Sequence, residues 1–341
     1  MSNPKISVIV PAYNSSDYIR QCIDSLQVQR FTDFEVIVVN DGSTDDTLEI
    51  VRELQEKDSR IILINQANQG QGTARNNGLN KACGDTVLFL DADDYYAEDT
   101  LEIMYTALIN SKCEVAVFNG KAFYESNDGP IVWSENPYYS LSDTEANIMQ
   151  SGLELVAKTK GRIQSPCMKI HTREFLQQHD IRFLEGGFGE DTYFFYNMMI
   201  YAKRVMYIHH IGFYRRYHAD TTMTGSSIRN IQNRILTFPK LFELLALIEE
   251  EHFALIVRKQ MLHYACFLWI MAMNRSGDDR SILLNDFSTV KLDQLLSTNS
   301  QDVISFIFSL LISDSCRVNL IKQIFAKICR RMLKNKTRFI I

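Results

Sequence analysis

The first third of the chain alternates β-branched apolar runs with stretches of helical period, and that order leaves few folds open. Lys5 to Ala12, Phe34 to Val39, Ile61 to Ile64 and Thr86 to Leu90 read as strands. Tyr18 to Leu26, Asp45 to Lys57 and Thr73 to Ala82 read as the helices between them, with Leu48, Val51 and Leu54 on one face of the second. Pro11 is expected to stop the first strand. A βαβα order implies an α/β fold with a mostly parallel sheet, right-handed crossovers and helices on its faces. Val87-Leu88-Phe89-Leu90 has no polar alternation, as expected of a strand buried on both faces, and it runs straight into Asp91-Ala92-Asp93-Asp94. Ligands of such sheets bind outside the carboxyl ends of the strands, so these acids are expected at the mouth of a crevice. Carboxylates this close raise one another's pKa unless a cation sits between them, and hard oxygen donors suit Mg2+ or Mn2+. The alternative is a solvated acidic turn leading into the next helix, with Asp94 or Asp99 near its start.

Bulk properties narrow the classes. The 341 residues suggest about two domains. An apolar content of 46% and a charged content of 23% suit a globular chain with ample core. A net charge of −5 argues against a nucleic-acid partner. Seven scattered cysteines without Cys-x-x-Cys spacing fit a reducing compartment, with neither a disulfide framework nor a zinc site. The apolar run near the N-terminus is too short for a signal peptide, and Met261 to Met273 and Val303 to Ile312 are too short to span a bilayer. The expectation is a soluble, cytoplasmic protein.

The loops after the strands carry the unusual composition. Pro11-Ala12-Tyr13-Asn14 reads either as a plain turn or as an aromatic face and an amide offered to the crevice. In Asn40-Asp41-Gly42-Ser43-Thr44-Asp45, Thr44 or Asp45 caps the following helix. Asp41 stands at the strand end, where a carboxylate can accept from the imide N–H of uracil. In Asn68-Gln69-Gly70-Gln71-Gly72-Thr73-Ala74-Arg75-Asn76-Asn77-Gly78 the glycines permit close backbone approach, and Arg75 can face a phosphate or the base. No Gly-x-Gly-x-x-Gly and no Walker-type loop is present.

In order and spacing, these loops and Leu90-Asp91-Ala92-Asp93-Asp94 resemble the family 2 inverting glycosyltransferases of the GT-A fold over residues 5 to about 120. The resemblance implies that Pro11, Tyr13, Asp41 and Arg75 surround a uridine, with Asn14, Asn68, Gly70 and Ala92 counted in the same donor site. It places Asp91 on the ribose side and makes Asp93 a ligand of the Mn2+ or Mg2+ that holds the diphosphate of a UDP-sugar.

Farther on, Glu98 to Lys112 reads as an amphipathic helix and Glu114 to Tyr124 as a strand. Glu125 to Gln150 is either a surface excursion or an acceptor-side loop whose tyrosines and Trp133 stack on sugar faces. Ser165-Pro166-Cys167-Met168-Lys169-Ile170 loosely resembles the Lys-Leu-Tyr segment of the same family, and a helix follows from Thr172 to about Gln178. A glycine-rich loop from Phe183 then delivers Glu190 and Asp191 to a helix running to about Tyr201. The family carries a Glu-Asp pair here, which implies Asp191 as general base on the acceptor hydroxyl. Tyr207 to Tyr217 reads as a strand ending in Tyr214-Arg215-Arg216-Tyr217-His218. The resemblance implies that Arg216 or His218 neutralises the leaving group, or that His218 completes the metal shell, with Asp220, Thr221 and Thr222 following.

Residues 1–226 thus read as a glycosyltransferase domain, with a nucleotide-binding half to about 120 and an acceptor half beyond it. Residues 227–341 read as a helical region, with long helices from Ile231 to Lys259 and Gln260 to Asn274 and a further stretch from Val303 to Ile312. After Asp314 there are eight lysines and arginines and no acid, while Ile321, Ile324, Phe325, Ile328 and Met332 recur at helical spacing. Such a helix either docks on the protein or lies on an anionic membrane surface. The implied function is a metal-dependent transfer from a UDP-sugar to a lipid-linked glycan acceptor, forming a β-glycosidic bond in bacterial surface polysaccharide (O-antigen or capsule) at the inner face of the membrane. A nucleotide-sugar-forming nucleotidyltransferase would need a glycine-rich phosphate loop after the first strand. A non-catalytic sugar-nucleotide-binding module would lack the base or the metal acid.

Overall fold

The computed structural model describes residues 3–125, 131–139, 141, 143–161, 163–186, 189–217 and 227–290. Its first elements follow the expected order: β1 (Ile6–Ala12), α1 (Ile19–Gln27), β2 (Phe34–Asp41), α2 (Thr47–Lys57), β3 (Ile61–Gln66), α3 (Gln71–Lys81) and β4 (Thr86–Phe89). β1 pairs in parallel with both β2 and β4, and β2 with β3, so the carboxyl ends of these strands share one edge. Pro11 does not stop β1; it pairs with Val39 inside the strand. The Ile9 carbonyl accepts from Leu90 N–H, so Pro11, two residues on, faces the same side. β4 has already ended there at Phe89, and no ladder hydrogen bond is lost to the missing N–H.

The second half of the sheet departs from the parallel plan. After β5 (Tyr95–Tyr96), α4 (Thr100–Ser111), β6 (Val115–Tyr124), β7 (Val132–Trp133), β8 (Met149–Gln150) and α5 (Gly152–Thr159) comes β9 (Lys169–Thr172). The strand order is β3-β2-β1-β4-β9-β6-β10-β5, with β7 on β6 and β8 on β10, where β10 is Val205–Tyr217. β9 runs antiparallel between β4 and β6 and carries a lysine and a histidine into the core. Between β9 and β10 lie α6 (Arg173–Gln178) and α7 (Glu190–Tyr201). His171 Nδ1 meets the Val87 carbonyl at 3.2 Å, and burial holds its pKa down to about 3, so the imidazole is neutral. Its ring packs edge-on to Phe89 and Phe194, and Phe194 stacks on Phe183 at 3.9 Å between centroids. This aromatic cluster lies beneath the strand-end acids and joins α7 to β4.

The helical stretch from Ile231 to Lys259 is not one helix. It divides into α8 (Ile228–Leu236), α9 (Phe238–Leu245) and the start of α10 (Glu251–Met273), which continues unbroken through Gln260. Pro239 falls in the first turn of α9, the one part of a helix where its missing N–H costs nothing, so the break comes just before it. The chain forms two compact units, Met1–Gln260 and Met261–Ile341. α8 and α9 therefore lie in the sheet-bearing unit, past residue 226 where the sequence changes character. α9 packs on α7 through an apolar face that includes Phe238, Leu241 and Leu245. In the second unit, α10 and α11 (Gly277–Thr289) meet where Trp269 packs edge-on to Phe287. Among the described residues no helix is long and apolar enough to cross a membrane. Val303 to Ile312 and the basic stretch after Asp314 lie outside the described residues.

Candidate active site

Arg75 is the hub of the crevice. Its side chain has 0% exposure, yet its guanidinium donates to Asp191 Oδ1 at 2.7 Å and to Asp91 Oδ1 at 2.8 Å. Glu190 Oε1 lies 3.6 Å away, and the guanidinium rests over the Phe183 ring at 5.0 Å. Burial alone would lower the Arg75 pKa, but Asp191, Asp91 and Glu190 more than offset it and raise it overall. Arg75 was expected at a phosphate or the base; its two terminal nitrogens are instead committed to the acid after β4 and the acid opening α7.

Local sequence explains how these two acids come to one arginine. Asn76 Nδ2 donates to the Phe183 carbonyl, and Asn76 Oδ1 accepts from Phe183 N–H, each at 3.0 Å. Gly72, in the first turn of α3, lies so close to this segment that a Cβ would stand 2.1 Å from the Leu184 carbonyl oxygen. The segment before α7 is thereby fixed against α3, and Glu190 and Asp191 arrive beside Arg75. Burial and the neighbouring Asp191 charge push the Glu190 carboxyl up to about 7. Asp191 keeps 40% of its side chain exposed. Desolvation raises its pKa, Arg75 opposes the shift, and Asp91 adds to it.

The donor-side loops brace one another. Asp41 accepts from Gln66 Nε2 at 2.8 Å and from the Gln69 and Gly70 N–H groups at 2.9 and 2.8 Å, so it holds the β3–α3 loop. Gly70 takes φ +90° at the start of α3, and the loop backbone at Asn68 lies so near Gly42 that a Cβ there would meet Asn68 N at 2.7 Å. Asn14, at φ +48°, points its amide at the neighbouring loop: Oδ1 accepts from Thr44 N–H at 2.8 Å, while Asn14 N–H donates to Ser43 Oγ. Asn14 therefore ties the first loop to the second. Tyr13 beside it is half exposed, Pro11 is buried in the strand, and Ala92 is buried in the acidic turn.

The acids after β4 differ in what they hold. Asp91 Oδ1 takes both Arg75 and Gln71 Nε2. Asp94 is buried, and its Oδ1 accepts from Arg216 N–H at 2.8 Å, which locks the turn to β10. Burial raises the Asp94 pKa well above the usual carboxylate range, and the charges of Asp93 and Asp91 raise it further. Arg216 is buried too, with Nε on the Asp93 carbonyl at 3.0 Å and its terminal nitrogens on Glu125 and Gln21. All three guanidinium nitrogens are thus spent on protein, and Arg216 anchors the acidic turn. Its neighbour Arg215 donates to Tyr138 Oη at 2.5 Å, lies over the Tyr138 and Tyr217 rings, and turns its charge toward Asp94, Asp91 and Asp191.

Three of these residues escaped assignment from sequence: Glu190 as a third acid on Arg75, Arg215 as a cation facing the acids, and Gln71 on Asp91. For the arginines a signal was there, because strand alternation sends the side chains of Arg215 and Arg216 to opposite faces. His218, Asp220, Thr221 and Thr222 lie outside the described residues.

A divalent cation fits the donor chemistry here. Asp93 is a partly exposed carboxylate at the crevice, and its charge together with that of Asp91 loads Asp94, a repulsion that such a cation relieves. Among the described residues no group of three or more His, Cys, Asp or Glu is arranged to hold a metal ion by itself.

Comparison with known proteins supplies the family. Residues 7–180 match the family model "Glycosyl transferase family 2". The glycosyltransferase GlyA of Streptococcus pneumoniae serotype 4 is 35% identical over 206 residues, 60% of this chain but 29% of that protein, so the match spans under a third of GlyA. The glycosyltransferase YibD of Escherichia coli is 30% identical over 248 residues, 71% of each chain. The crystal structure of S. aureus TarS 1-349 in complex with UDP-GlcNAc superposes with a TM-score of 0.68 over 85% of this chain and 82% of that one, at 24% identity, which establishes a shared fold. On the family model and the identity to YibD across most of both chains, this chain belongs to glycosyl transferase family 2.

Proposed function

We propose that the chain transfers a sugar from a UDP-sugar to a hydroxyl of a glycan acceptor with inversion at the anomeric carbon. The observation that carries this reading is the Asp91–Arg75–Asp191 bridge, which sets a partly exposed carboxylate on the acceptor side opposite the acids of the donor side. In the reaction the acceptor oxygen attacks the anomeric carbon from the face opposite the diphosphate. The bond from that carbon to the phosphate oxygen breaks, its electron pair leaves with UDP, and Asp191 receives the hydroxyl proton as the new C–O bond forms. An α-linked donor then yields a β-glycoside.

On the donor side, Tyr13 offers an exposed ring to the base. An ionised carboxylate has about four acceptor positions. Gln66, Gln69 and Gly70 occupy three on Asp41, and the fourth remains for the uracil imide. Arg215 adds positive charge toward the same acids that would meet the diphosphate. Asp93 would hold Mn2+ or Mg2+, with His218 as a second ligand, and the cation when bound supplies Lewis-acid neutralisation of the diphosphate. The UDP-GlcNAc complex of TarS and the Mn2+ complex of the Pyrobaculum calidifontis mannosyltransferase PcManGT with GDP-Man (TM-score 0.52) support a nucleotide-sugar donor and a divalent metal for this fold.

The test is calorimetric. UDP titrated into the protein with and without Mn2+ should bind more tightly with metal, and Asp93→Asn should remove that metal-dependent gain. Unchanged metal-dependent affinity in Asp93→Asn would refute the role of Asp93, and release of sugar from no member of a UDP-sugar panel would refute the donor class.

The acceptor in this reading is lipid-linked, as in the assembly of O-antigen or capsule, and the basic, periodically apolar stretch after Asp314 brings the enzyme to the anionic inner face of the membrane. Deleting the residues after Asp314 should abolish sedimentation with anionic liposomes; retention of the truncated chain on them would reject the anchor.

A further inference from the structure

Lys169 is buried at 0% exposure on β9, in register with Val117 of β6. Among the described residues its ammonium pairs with no carboxylate. It donates to the main-chain carbonyls of Ile163 and Ser165, each at 2.5 Å, and stands 5.4 Å over the face of Phe195 on α7. A buried cation without an acid partner is costly, and an apolar side chain of similar length fills such a place at lower cost. The segment it grips leads directly to the base. Gln164, between the two gripped carbonyls, accepts from Thr192 Oγ1 at 2.9 Å, and Thr192 follows Asp191 in the first turn of α7.

We propose that Lys169 is a positioning residue for Asp191: its ammonium fixes the Ile163–Ser165 segment that braces the start of α7. This deepens the reading of Asp191 as base and rests on it. The charged groups facing Asp191 are Arg75 from α3, Asp91 after β4, Arg215 from β10, Glu190 on α7 itself and Lys169 from β9. Arg75 is shared with Asp91 and Glu190, so Lys169 and Arg215 are the cations not divided in that bridge. Facing Lys169 in turn are Cys167, His171 and Asp191. Burial brings the Lys169 pKa down to about 7, while Asp191 pulls it upward. The influence is reciprocal: the ammonium lowers the proton affinity of Asp191, and the Asp191 carboxylate favours the ammonium.

The experiment pairs kinetics with a direct titration. Lys169→Met should lower kcat on the order of 10²-fold, the scale of a small misplacement of a catalytic group, with UDP affinity unchanged by calorimetry. The acid limb of its kcat/KM profile should move to higher pH, and Lys169→Arg should restore part of both effects. Independently of turnover, NMR of lysine-labelled full chain, with the Lys169 signal assigned by its loss in Lys169→Met or Lys169→Arg, should show a midpoint near 7 that falls in Asp191→Asn. Wild-type kcat and an unshifted acid limb in Lys169→Met would overturn the proposal. So would a Lys169 midpoint indifferent to Asp191→Asn, a result that stands even where Lys169→Met does not fold. A coupled midpoint in a protein that transfers no sugar would instead refute the glycosyl-transfer reading and leave the Lys169–Asp191 interaction in place.

Discussion

Asp191→Asn lowers turnover by about 10²–10⁴-fold, the usual contribution of a positioned general base, and leaves UDP binding nearly intact. The separation follows from the geometry. An asparagine fills the same volume, and its carbonyl oxygen can still accept from the Arg75 nitrogen that now meets Asp191 Oδ1 at 2.7 Å. The donor-side loops are braced by Asp41, Asn14 and Gly70, none of which touches Asp191. What disappears is the partly exposed carboxylate proposed to accept the hydroxyl proton. Glu190 does not replace it: it is buried, 3.6 Å from the same Arg75 nitrogen that Asp191 holds, and burial with the Asp191 charge pushes its carboxyl up to about 7, which disfavours the ionised form. Glu190→Gln should accordingly cost less than Asp191→Asn. Steady-state kinetics with UDP calorimetry on both variants decides the matter; near-normal turnover in Asp191→Asn, or a larger loss in Glu190→Gln, would transfer the base from Asp191 to another group.

Much of this arrangement was legible in the chain and some was not, for identifiable physical reasons. β1 to β4 announce themselves because each is an apolar run between helical segments, and a parallel sheet buries such strands on both faces. β9 did not, because Lys-Ile-His-Thr has neither alternation nor an apolar run; it is a strand because β4 and β6 leave an edge for it on each side. The strand-end acids could be placed at the crevice, but not ranked. Asp94 proved to be the buried anchor of β10, whereas Asp91 entered the Arg75 bridge. That bridge joins residues 116 positions apart, and no local pattern encodes it. Arg216 looked like a ligand-facing cation until its three nitrogens were found on Asp93, Glu125 and Gln21. Local chemistry thus located the loops, and only tertiary pairing divided the residues that brace the site from those left facing it.

Arg75→Met should be the most destabilising single change in the site. The side chain is fully buried and has three acids around it, so removing its charge strands Asp91, Asp191 and Glu190 against one another. Removing one partner of a buried ion pair costs about 3–5 kcal/mol because the remaining charge stays buried without compensation. Arg75→Lys should recover only part of this, since one compact ammonium cannot reproduce two terminal nitrogens directed at two separate carboxylates. The pH dependence identifies the cause. Without the guanidinium the Glu190 and Asp191 carboxyls, already raised by burial, rise further above their unfolded values, so the folded variant binds protons that the unfolded chain does not. Its deficit is therefore smallest in acid, where the carboxyls are protonated in both states, and grows as pH rises through the raised folded values, which for Glu190 already stand at about 7 in the parent chain. Urea unfolding of parent and variant at pH 5 and pH 8 measures both arms. A deficit below about 1 kcal/mol at pH 8, the size of an exposed pair, would mean that Arg75 is no hub. A deficit equal at the two pH values would assign the loss to packing over Phe183 instead of to the acids.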